Sequence, residues 1–277
     1  MTIFMPHLKR FIVLIAILAS PFPISNIQCV DAFAKDGSTE AAPTKPVIDP
    51  VADKLLKSMS STLSSAKAFT FTADVNFDQL IVSGQQIQYG GTARLTFQRP
   101  DKAYAEFKGD LNDRRVWYTG KEVTVLDVDK KFYGELPVPS NIDDAMDKLM
   151  VEYGFTLPLS DVVVSDPYAA FMSHVAAGVV IGDSTVNGES CKHLAFVEEY
   201  IDWQIWISNG ASALPCKLVI TYKTIPGGPQ YSAVFSDWAI NPALDAALFK
   251  PVLPEEAVRI EFIKMKINNN TNNNTGE

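Results

Sequence analysis

Histidine and cysteine, which often bind metals or act in catalysis, are scarce in this sequence. Only 3 of each occur among 277 residues, and they form neither an HExxH motif nor the paired CxxC that zinc sites use. No serine lies in a GxSxG elbow, and no glycine-rich phosphate loop is present. The sequence therefore predicts a protein that is not an enzyme, with no catalytic residues, no metal site and no cofactor.

Carboxylates are plentiful, and a suitably spaced pair of them would be enough for a glycosidase. We interpret Asp143 and Asp144 as charges at the start of a helix, and Glu198 and Glu199 as charges of a loop. Acidic residues at a helix start stabilise it through its dipole and need no catalytic explanation. A glycosidase pair therefore stays a minor alternative.

Basic residues and long apolar runs are also few. The first shortage argues against a nucleic-acid-binding protein, and the second against a protein with a permanent membrane helix. The 24 Lys and Arg are outnumbered by 32 Asp and Glu, and the net charge is −8. Nucleic-acid binding needs clustered basic residues, so no nucleic-acid partner is expected. The apolar run from Phe11 to Ala19 would cross only about half of a bilayer, which argues against a permanent membrane helix.

The N-terminus has the pattern of a cleaved signal peptide. Lys9 and Arg10 precede the apolar run, and Ala32-Phe33-Ala34 supplies the small-x-small pattern that signal peptidases read. We predict a signal peptide over residues 1–34, cleaved near Ala34, and a periplasmic location in a bacterium. An uncleaved anchor is one alternative. Lipidation of Cys29 is another, although the preceding Gln28 does not fit a lipidation site.

Cleavage would leave Cys191 and Cys216, and two cysteines in an oxidising compartment predict a disulfide. The loop of about 26 residues that they close would contribute roughly 3–4 kcal/mol. There is one geometric objection, because the two cysteines would begin the first and third strands of a meander. Strands two apart lie about 10 Å from each other, too far for a disulfide. The bond then requires the middle strand to end before that level.

The periodicity of apolar residues divides the chain into helical and extended segments. A flexible leader is predicted over residues 35–48, an amphipathic helix from Asp49-Pro50 to about Ala66, and a block of strands from Phe69 onward. A helical segment begins after Asn141, and a second block of strands follows Gly178. We predict a single domain over residues 49–265, with an Asn-rich disordered tail at 266–277.

The strands alternate apolar and polar residues, as in an antiparallel sheet with one buried face. This face could be a packed core filled by the helices of the chain. Alternatively, it could be an incompletely filled concave surface that accepts an acyl chain. In the second case, the residues expected to line the cavity are Phe69, Phe71, Phe77, Leu95, Phe97, Phe107, Leu149, Phe171 and Met172.

Several stretches resemble the bacterial periplasmic family called domain of unknown function 2092, within the LolA/LolB/LppX-like lipoprotein-carrier superfamily. Together they cover about residues 47–263. These stretches are Asp49-Pro50, Arg99-Pro100-Asp101-Lys102, Thr119-Gly120-Lys121, Leu157-Pro158-Leu159-Ser160-Asp161, Asp202-Trp203-Gln204-Ile205-Trp206-Ile207, Leu214-Pro215, Lys217–Lys223, Pro229-Gln230-Tyr231 through Trp238, and Phe249 with Pro254.

The resemblance implies a mainly β (α+β) fold, a half-open antiparallel β-barrel with short helices as a lid over an apolar cavity. It implies a carrier that holds a lipid or a lipoprotein acyl chain without chemistry. The same fold is similar to the sensor half of a periplasmic anti-sigma regulator, so an envelope protein is an alternative partner. No catalytic residues are carried over from the family.

Overall fold

The computed structural model describes residues 46–155 and 157–265, and its main feature is one open sheet of 13 strands. The predicted signal peptide, residues 35–45 of the predicted leader and the tail at 266–277 lie outside the described residues. The strands are β1 Val47–Ile48, β2 Ala68–Leu80, β3 Gln86–Gln98, β4 Lys102–Gly109, β5 Asp113–Tyr118, β6 Glu122–Asp127, β7 Phe132–Pro137, β8 Ala177–Val186, β9 Glu189–Val197, β10 Ile201–Ser208, β11 Pro215–Tyr222, β12 Gln230–Ile240 and β13 Val258–Arg259.

The sheet joins two blocks of strands that are separate in sequence. Its order is β1-β8-β9-β10-β11-β12-β2-β3-β4-β5-β6-β7-β13, so the first block, β2–β7, meets the second, β8–β12, where β12 pairs with β2. The pairs are antiparallel except at the two ends, where β1–β8 and β13–β7 are parallel. The mainly β fold class, an open antiparallel sheet with short helices, is confirmed.

The β2 strand shows why the sheet has a buried and a polar face. Its alternate residues Phe69, Phe71, Ala73, Val75 and Phe77 are all buried, while the polar residues between them are more exposed. Successive side chains of a strand point to opposite faces, so a period of two in sequence becomes one apolar face in space. One continuous core joins this face to the helices and to the inner face of the second block.

The helices are α1 Pro50–Ser65, α2 Ile142–Tyr153, α3 Ser160–Val163 and α4 Pro167–Met172, with a 3-10 helix at Ala246–Phe249. Helices α1 and α2 begin at the residues that the sequence predicts. The Asp49 carboxylate caps α1 by accepting from Val51 N at 2.7 Å, and Asn141 caps α2 by accepting from Asp144 N at 2.9 Å. Gly154, at φ 71°, ends α2 in the left-handed conformation that glycine favours. No helix in the described ranges is long and apolar enough to cross a bilayer.

The helices α2–α4 form a lid, and hydrogen bonds from several parts of the chain hold it in place. Met265 N, at the end of the described chain, donates to Glu152 O of α2 at 2.8 Å. Arg99 Nη2 donates to Val164 O just after α3 at 2.7 Å. Tyr168 of α4 donates its backbone N–H to Ser60 Oγ of α1 at 2.9 Å. The lid is therefore anchored at each of its helices.

One predicted boundary needs correction. The flexible leader is expected to reach residue 48, but Val47 and Ile48 form β1, which pairs with Ala177 and Gly178 of β8. The last strand of the chain, β13, ends at Arg259. Beyond it Phe262 packs on Gly134, where a Cβ would lie 2.3 Å from the Phe262 ring. This close packing of the ring on the β7 backbone replaces further strand pairing.

Cys191 and Cys216 form a disulfide with their Cα atoms 6.9 Å apart. The expectation that the middle strand stops before the bond is wrong, because β10 continues to Ser208, which pairs with Cys191. Instead, the register of β10 and β11 shifts between Trp206 and Ile207, which leaves Cys216 as the extra residue of a bulge. The bulge displaces Cys216 from the regular spacing and brings it within reach of Cys191.

Candidate functional site

A partly open cavity of about 430 Å³ lies between the lid and the second strand block. This volume is within the range of about 300–1,000 Å³ that small-molecule pockets occupy. Its lining comes from α2–α4 and the segments between them on one side, and from β10, β11 and the β9–β10 turn on the other. The lining residues are Asp143, Met146, Asp147, Met150, Phe155, Leu157, Pro158, Ser160, Asp161, Val164, Asp166, Ala169, Ala170, Phe171, Ser173, Glu198, Ile201, Trp203, Leu218, Ile220 and Tyr222.

Aromatic stacking fixes the sheet-side wall of the cavity. The Trp203 ring lies parallel to Phe196, with the ring centroids 4.0 Å apart, and contacts Phe171 of α4 at 5.0 Å. Trp203 is on the inner face of β10, and Leu218 and Ile220 extend the wall along β11. The result is an apolar surface whose shape is set by rigid rings and β-branched side chains.

Five carboxylates belong to the cavity lining, and none of its described residues is a lysine or an arginine. Asp143 and Asp161 lie in the first turns of α2 and α3, and Asp166 caps α4 by accepting from Ala169 N at 3.0 Å. Acidic residues are common at helix N-termini, since they meet the free N–H groups and the positive end of the helix dipole. Their positions at helix N-termini therefore account for these three, and they make the cavity electronegative as well.

Glu198 is different, because it lies on the sheet side, in the turn between β9 and β10, and is only 7% exposed. Its Oε1 accepts a hydrogen bond from Trp203 Nε1 at 2.8 Å. Burial raises the pKa of the Glu198 carboxyl to about 7. Asp161 and Asp202 add to this rise, whereas the Trp203 bond and Lys223 oppose it. Lys223 Nζ donates to the backbone oxygen of Glu198 and lies 2.9 Å from Asp202 Oδ1.

Two tyrosines of adjacent strands place hydroxyl groups near the same wall. Tyr222 lines the cavity, and burial raises its pKa to about 12. Tyr231 is fully buried one strand away, and its hydroxyl has no hydrogen-bond partner in the described part of the chain. Burial raises the pKa of Tyr231 above its usual value, with Tyr222 adding to the rise. Both hydroxyls are therefore neutral donors at physiological pH.

The structure places the nine residues that we predicted as cavity lining in one core, but only Phe171 lines this cavity. The phenylalanines of the first block pack on one another instead. Phe69 stacks on Phe97 with centroids 5.2 Å apart, and Phe71 stacks on Trp238 at 4.4 Å. Phe77, Phe107 and Leu149 are buried in the same core, and Leu95 and Met172 pack partly buried against it. A role for these eight in ligand binding stays a prediction.

Sequence reasoning missed the residues that give the cavity its chemistry: Glu198, Trp203 and Tyr222. Alternation along β10 and β11 contains a signal for the last two, since it places both on the inner face. No such signal exists for Glu198, because charged residues are common in hairpin turns and its burial depends on the lid. Among the described residues, no group of three or more His, Cys, Asp or Glu is placed to bind a metal.

Comparison with known proteins identifies one family. The family model described as "Predicted periplasmic protein (DUF2092)" matches residues 52–263. No curated protein matches the sequence.

Several solved structures are similar to this chain. An uncharacterised conserved protein from Thermus thermophilus has a TM-score of 0.46 at 13% identity, over 76% of this chain and 99% of its own. The lipoprotein LppX of Mycobacterium tuberculosis has a TM-score of 0.43 at 12% identity, over 71% and 98%. A LolA superfamily protein from Nitrosomonas europaea has a TM-score of 0.33 at 8% identity, over 72% and 97%.

Proposed function

We propose that this chain, which belongs to the DUF2092 family of predicted periplasmic proteins, is a non-enzymatic binding or carrier protein of the bacterial envelope. The ligand is an apolar molecule, a lipid or a lipoprotein acyl chain, held between α2–α4 and β9–β11. The observation that carries this proposal is the cavity of about 430 Å³, with its wall of Phe171, Trp203 and Ile220.

Apolar burial supplies much of the binding free energy but not all of it. Burying about ten methylenes contributes about 8 kcal/mol before the costs of association. Micromolar affinity requires about 8 kcal/mol net, and association costs at least about 4 kcal/mol. A ligand with only an alkyl chain therefore binds weakly, and tighter binding needs a polar contact inside the cavity.

A cavity-filling substitution tests the proposal with little effect on the core. Ala170 of α4 lines the cavity, so Ala170→Trp places an indole in the space that the ligand would take. Ala247→Trp is the matched control, since Ala247 is exposed on the 3-10 helix and does not line the cavity. The measurement is the dissociation constant of the neutral fluorescent probe N-phenyl-1-naphthylamine.

We expect the unaltered protein and Ala247→Trp to bind the probe equally. Ala170→Trp should bind it at least about tenfold more weakly, because a filled cavity offers no apolar area to bury. Thermal melting of each variant checks that it is folded. If the unaltered protein leaves the probe in water, or Ala170→Trp binds it normally, the cavity is not the ligand site.

Export and domain organisation belong to the same proposal. We place the mature N-terminus just after Ala34 and treat residues 49–265 as one domain. The Cys191–Cys216 disulfide supports an oxidising compartment, where such bonds persist. Mass spectrometry of the protein purified from the envelope gives the mature N-terminus directly, and an unprocessed chain in the cytoplasm would contradict this location.

A second candidate function is interaction with an envelope protein, and it is favoured by the edge strand β8. Beyond Gly178 this strand has no neighbour on one side among the described residues. Its Val179 and Ile181 side chains are 49% and 57% exposed. Such an edge can pair with an extended segment of a partner. Crosslinking in cells should then trap one stoichiometric partner, and Ile181→Lys should release it; scattered background contacts alone would count against this candidate.

A further inference from the structure

The lining of the cavity combines an apolar wall with five carboxylates, and no Lys or Arg is among its described residues. The carboxylates of α2–α4 face the sheet across the cavity, and Glu198 faces them from the β9–β10 turn. Grouped charges of one sign in a cleft with apolar walls repel anions and attract cations. A ligand with a carboxylate or phosphate next to its apolar part would therefore meet repulsion in this cavity.

Helix capping does not account for Glu198, whose carboxyl is buried in the cavity lining. Its Oε1 accepts from Trp203 Nε1 at 2.8 Å. A carboxylate accepts up to about four hydrogen bonds, and burying it without them is costly. Lys223 favours the charged form of this carboxyl, but its Nζ donates to the Glu198 backbone oxygen and forms an ion pair with Asp202.

Tyr222 provides an independent observation on the same wall. Its side chain is partly buried and lines the cavity, and burial raises the pKa of its hydroxyl to about 12. A hydroxyl in this position both donates and accepts. The sheet side of the cavity therefore presents an acceptor oxygen on Glu198 and an amphoteric hydroxyl on Tyr222, in an otherwise apolar surface.

We infer that the cavity selects apolar molecules that carry a protonated amine, whose ammonium group binds Glu198 while the alkyl chain lies along Trp203 and Ile220. This inference rests on the proposed function and names its ligand class. An ammonium supplies hydrogen-bond donors and a positive charge to the buried Glu198 carboxylate, and charge-assisted hydrogen bonds are the strong ones. A free alkylamine and an amine-bearing lipid headgroup share this chemistry.

Binding of such an amine should depend on pH through Glu198. The groups that act on its carboxyl are Asp161 from the lid, Trp203 and Asp202 from β10, and Lys223 after β11. With the pKa of the free carboxyl raised to about 7, Glu198 is mostly neutral at about pH 5.5 and mostly charged at about pH 8. An alkylammonium stays protonated over this range. Its affinity should therefore rise at least about tenfold from about pH 5.5 to about pH 8.

The experiment compares three probes with the same chain and different head groups: dodecylamine, dodecanol and laurate, each below its micelle concentration. Their affinities are measured at both pH values by displacement of N-phenyl-1-naphthylamine. The protein variants are Glu198→Gln and, as the matched control, Glu199→Gln, which makes the same change at an exposed neighbour that does not line the cavity.

At about pH 8 the unaltered protein should bind dodecylamine at least about tenfold more tightly than laurate, with dodecanol between them. Glu198→Gln should remove most of this preference and the pH dependence of amine binding, whereas Glu199→Gln should keep both. Equal or tighter binding of laurate by the unaltered protein would overturn the inference without any variant. Binding of none of the three chains would instead overturn the proposed function.

The source of the amine is distinguished by vesicles. Phosphatidylethanolamine and phosphatidylcholine vesicles differ in the head group, and only the first carries N–H donors. Extraction of the first lipid in preference to the second indicates a lipid headgroup as the ligand. Binding of dodecylamine with extraction of neither lipid indicates a free amphiphilic amine, and both results support the inference.

Discussion

In the first strand block, β2–β7, phenylalanine rings fill the inner face, whereas the second block, β8–β12, shares its inner face with a cavity beneath the lid. Phe69, Phe71 and Phe97 stack on one another or on Trp238 at 4.4–6.4 Å. Trp203 also stacks, on Phe196, but it belongs to a wall that borders the open cavity. The lid carboxylates line the same cavity. The two blocks therefore use similar aromatic content for different purposes.

The difference shows that a high density of large apolar side chains does not by itself mark a ligand site. Aromatic rings on one face of a sheet can pack closely on one another and leave no space for a ligand, as in protein interiors generally. A cavity remains where the short lid helices cross the sheet. The first turns of these helices carry carboxylates that belong to the cavity lining. Apolar residues in a strand therefore indicate burial. Polar residues within an otherwise apolar surface indicate the candidate ligand site.

The largest expected effect tests whether the first block is only core. Phe69 is fully buried, so Phe69→Ala removes a stacked ring and leaves a void. We expect the free energy of unfolding to fall by about 3–5 kcal/mol. The affinity of the remaining folded protein for N-phenyl-1-naphthylamine should not change. Denaturant unfolding and probe titration measure the two quantities, and a large loss of affinity in folded protein would place Phe69 at a ligand site.

The disulfide sharpens the comparison, because the second block alone has a covalent bond across its strands. Replacing both Cys191 and Cys216 with serine should lower the free energy of unfolding by about 2–4 kcal/mol. The bond lies at the ends of β9 and β11 remote from the Glu198 turn, so probe affinity should be retained. Urea unfolding with and without dithiothreitol is the check: reductant should destabilise the parent protein and leave the double variant unaffected.

The pH dependence of stability tests the environment of Glu198 without any ligand. Its folded pKa of about 7 exceeds the value of about 4.3 for an unfolded glutamate, so the folded state binds the proton more tightly. The Glu198 carboxyl therefore contributes to the free energy of unfolding below about pH 4, and this contribution is lost as the pH rises through about 7.

Glu198→Gln keeps the neutral form at every pH. It should therefore raise the free energy of unfolding by about 1–3 kcal/mol at about pH 8 and leave it unchanged at about pH 4. Urea midpoints at the two pH values measure this, with Glu199→Gln as control. A variant that is less stable than the parent at about pH 8 would mean that the charged carboxylate is well solvated or paired.

The smallest stability effect is expected from the cavity wall. Ile220 lines the cavity and is only partly buried, so Ile220→Ala should cost about 1 kcal/mol, less than a fully buried residue would. Probe affinity should nevertheless fall about fivefold to tenfold, since each methylene of contact is worth about 0.8 kcal/mol. This reverses the expectation for Phe69→Ala. If both variants changed stability and affinity in the same proportion, the distinction between the two blocks would not hold.

Local signals in the sequence predict most of the fold. The alternation in β2, the Asp49-Pro50 helix start and the Asn141 helix start each act over a few residues, and each appears in the structure. The disulfide was predicted from composition and compartment. Its geometry was not, because a bulge at Cys216 depends on how three strands register and not on a local pattern.

The candidate site was largely beyond sequence reasoning, for a physical reason. Alternation places a side chain on the inner face, but it does not say whether that face is packed or open. This depends on where the lid lies, and the lid position is fixed by contacts between residues far apart in sequence, such as Arg99 with Val164. Glu198 became a candidate only when the structure showed it buried beside Trp203 and facing the lid.

The hydrogen bonds that anchor the lid have a consequence for the kinetics of exchange. Lifting the lid would break Met265–Glu152, Arg99–Val164 and Tyr168–Ser60 together. A ligand that leaves these bonds intact enters a cavity whose lid side carries carboxylates. Diffusion past fixed negative charges speeds the arrival of cations and is screened by ions. The association rate constant of an amine should therefore decrease as salt is added, while its dissociation rate constant stays nearly the same.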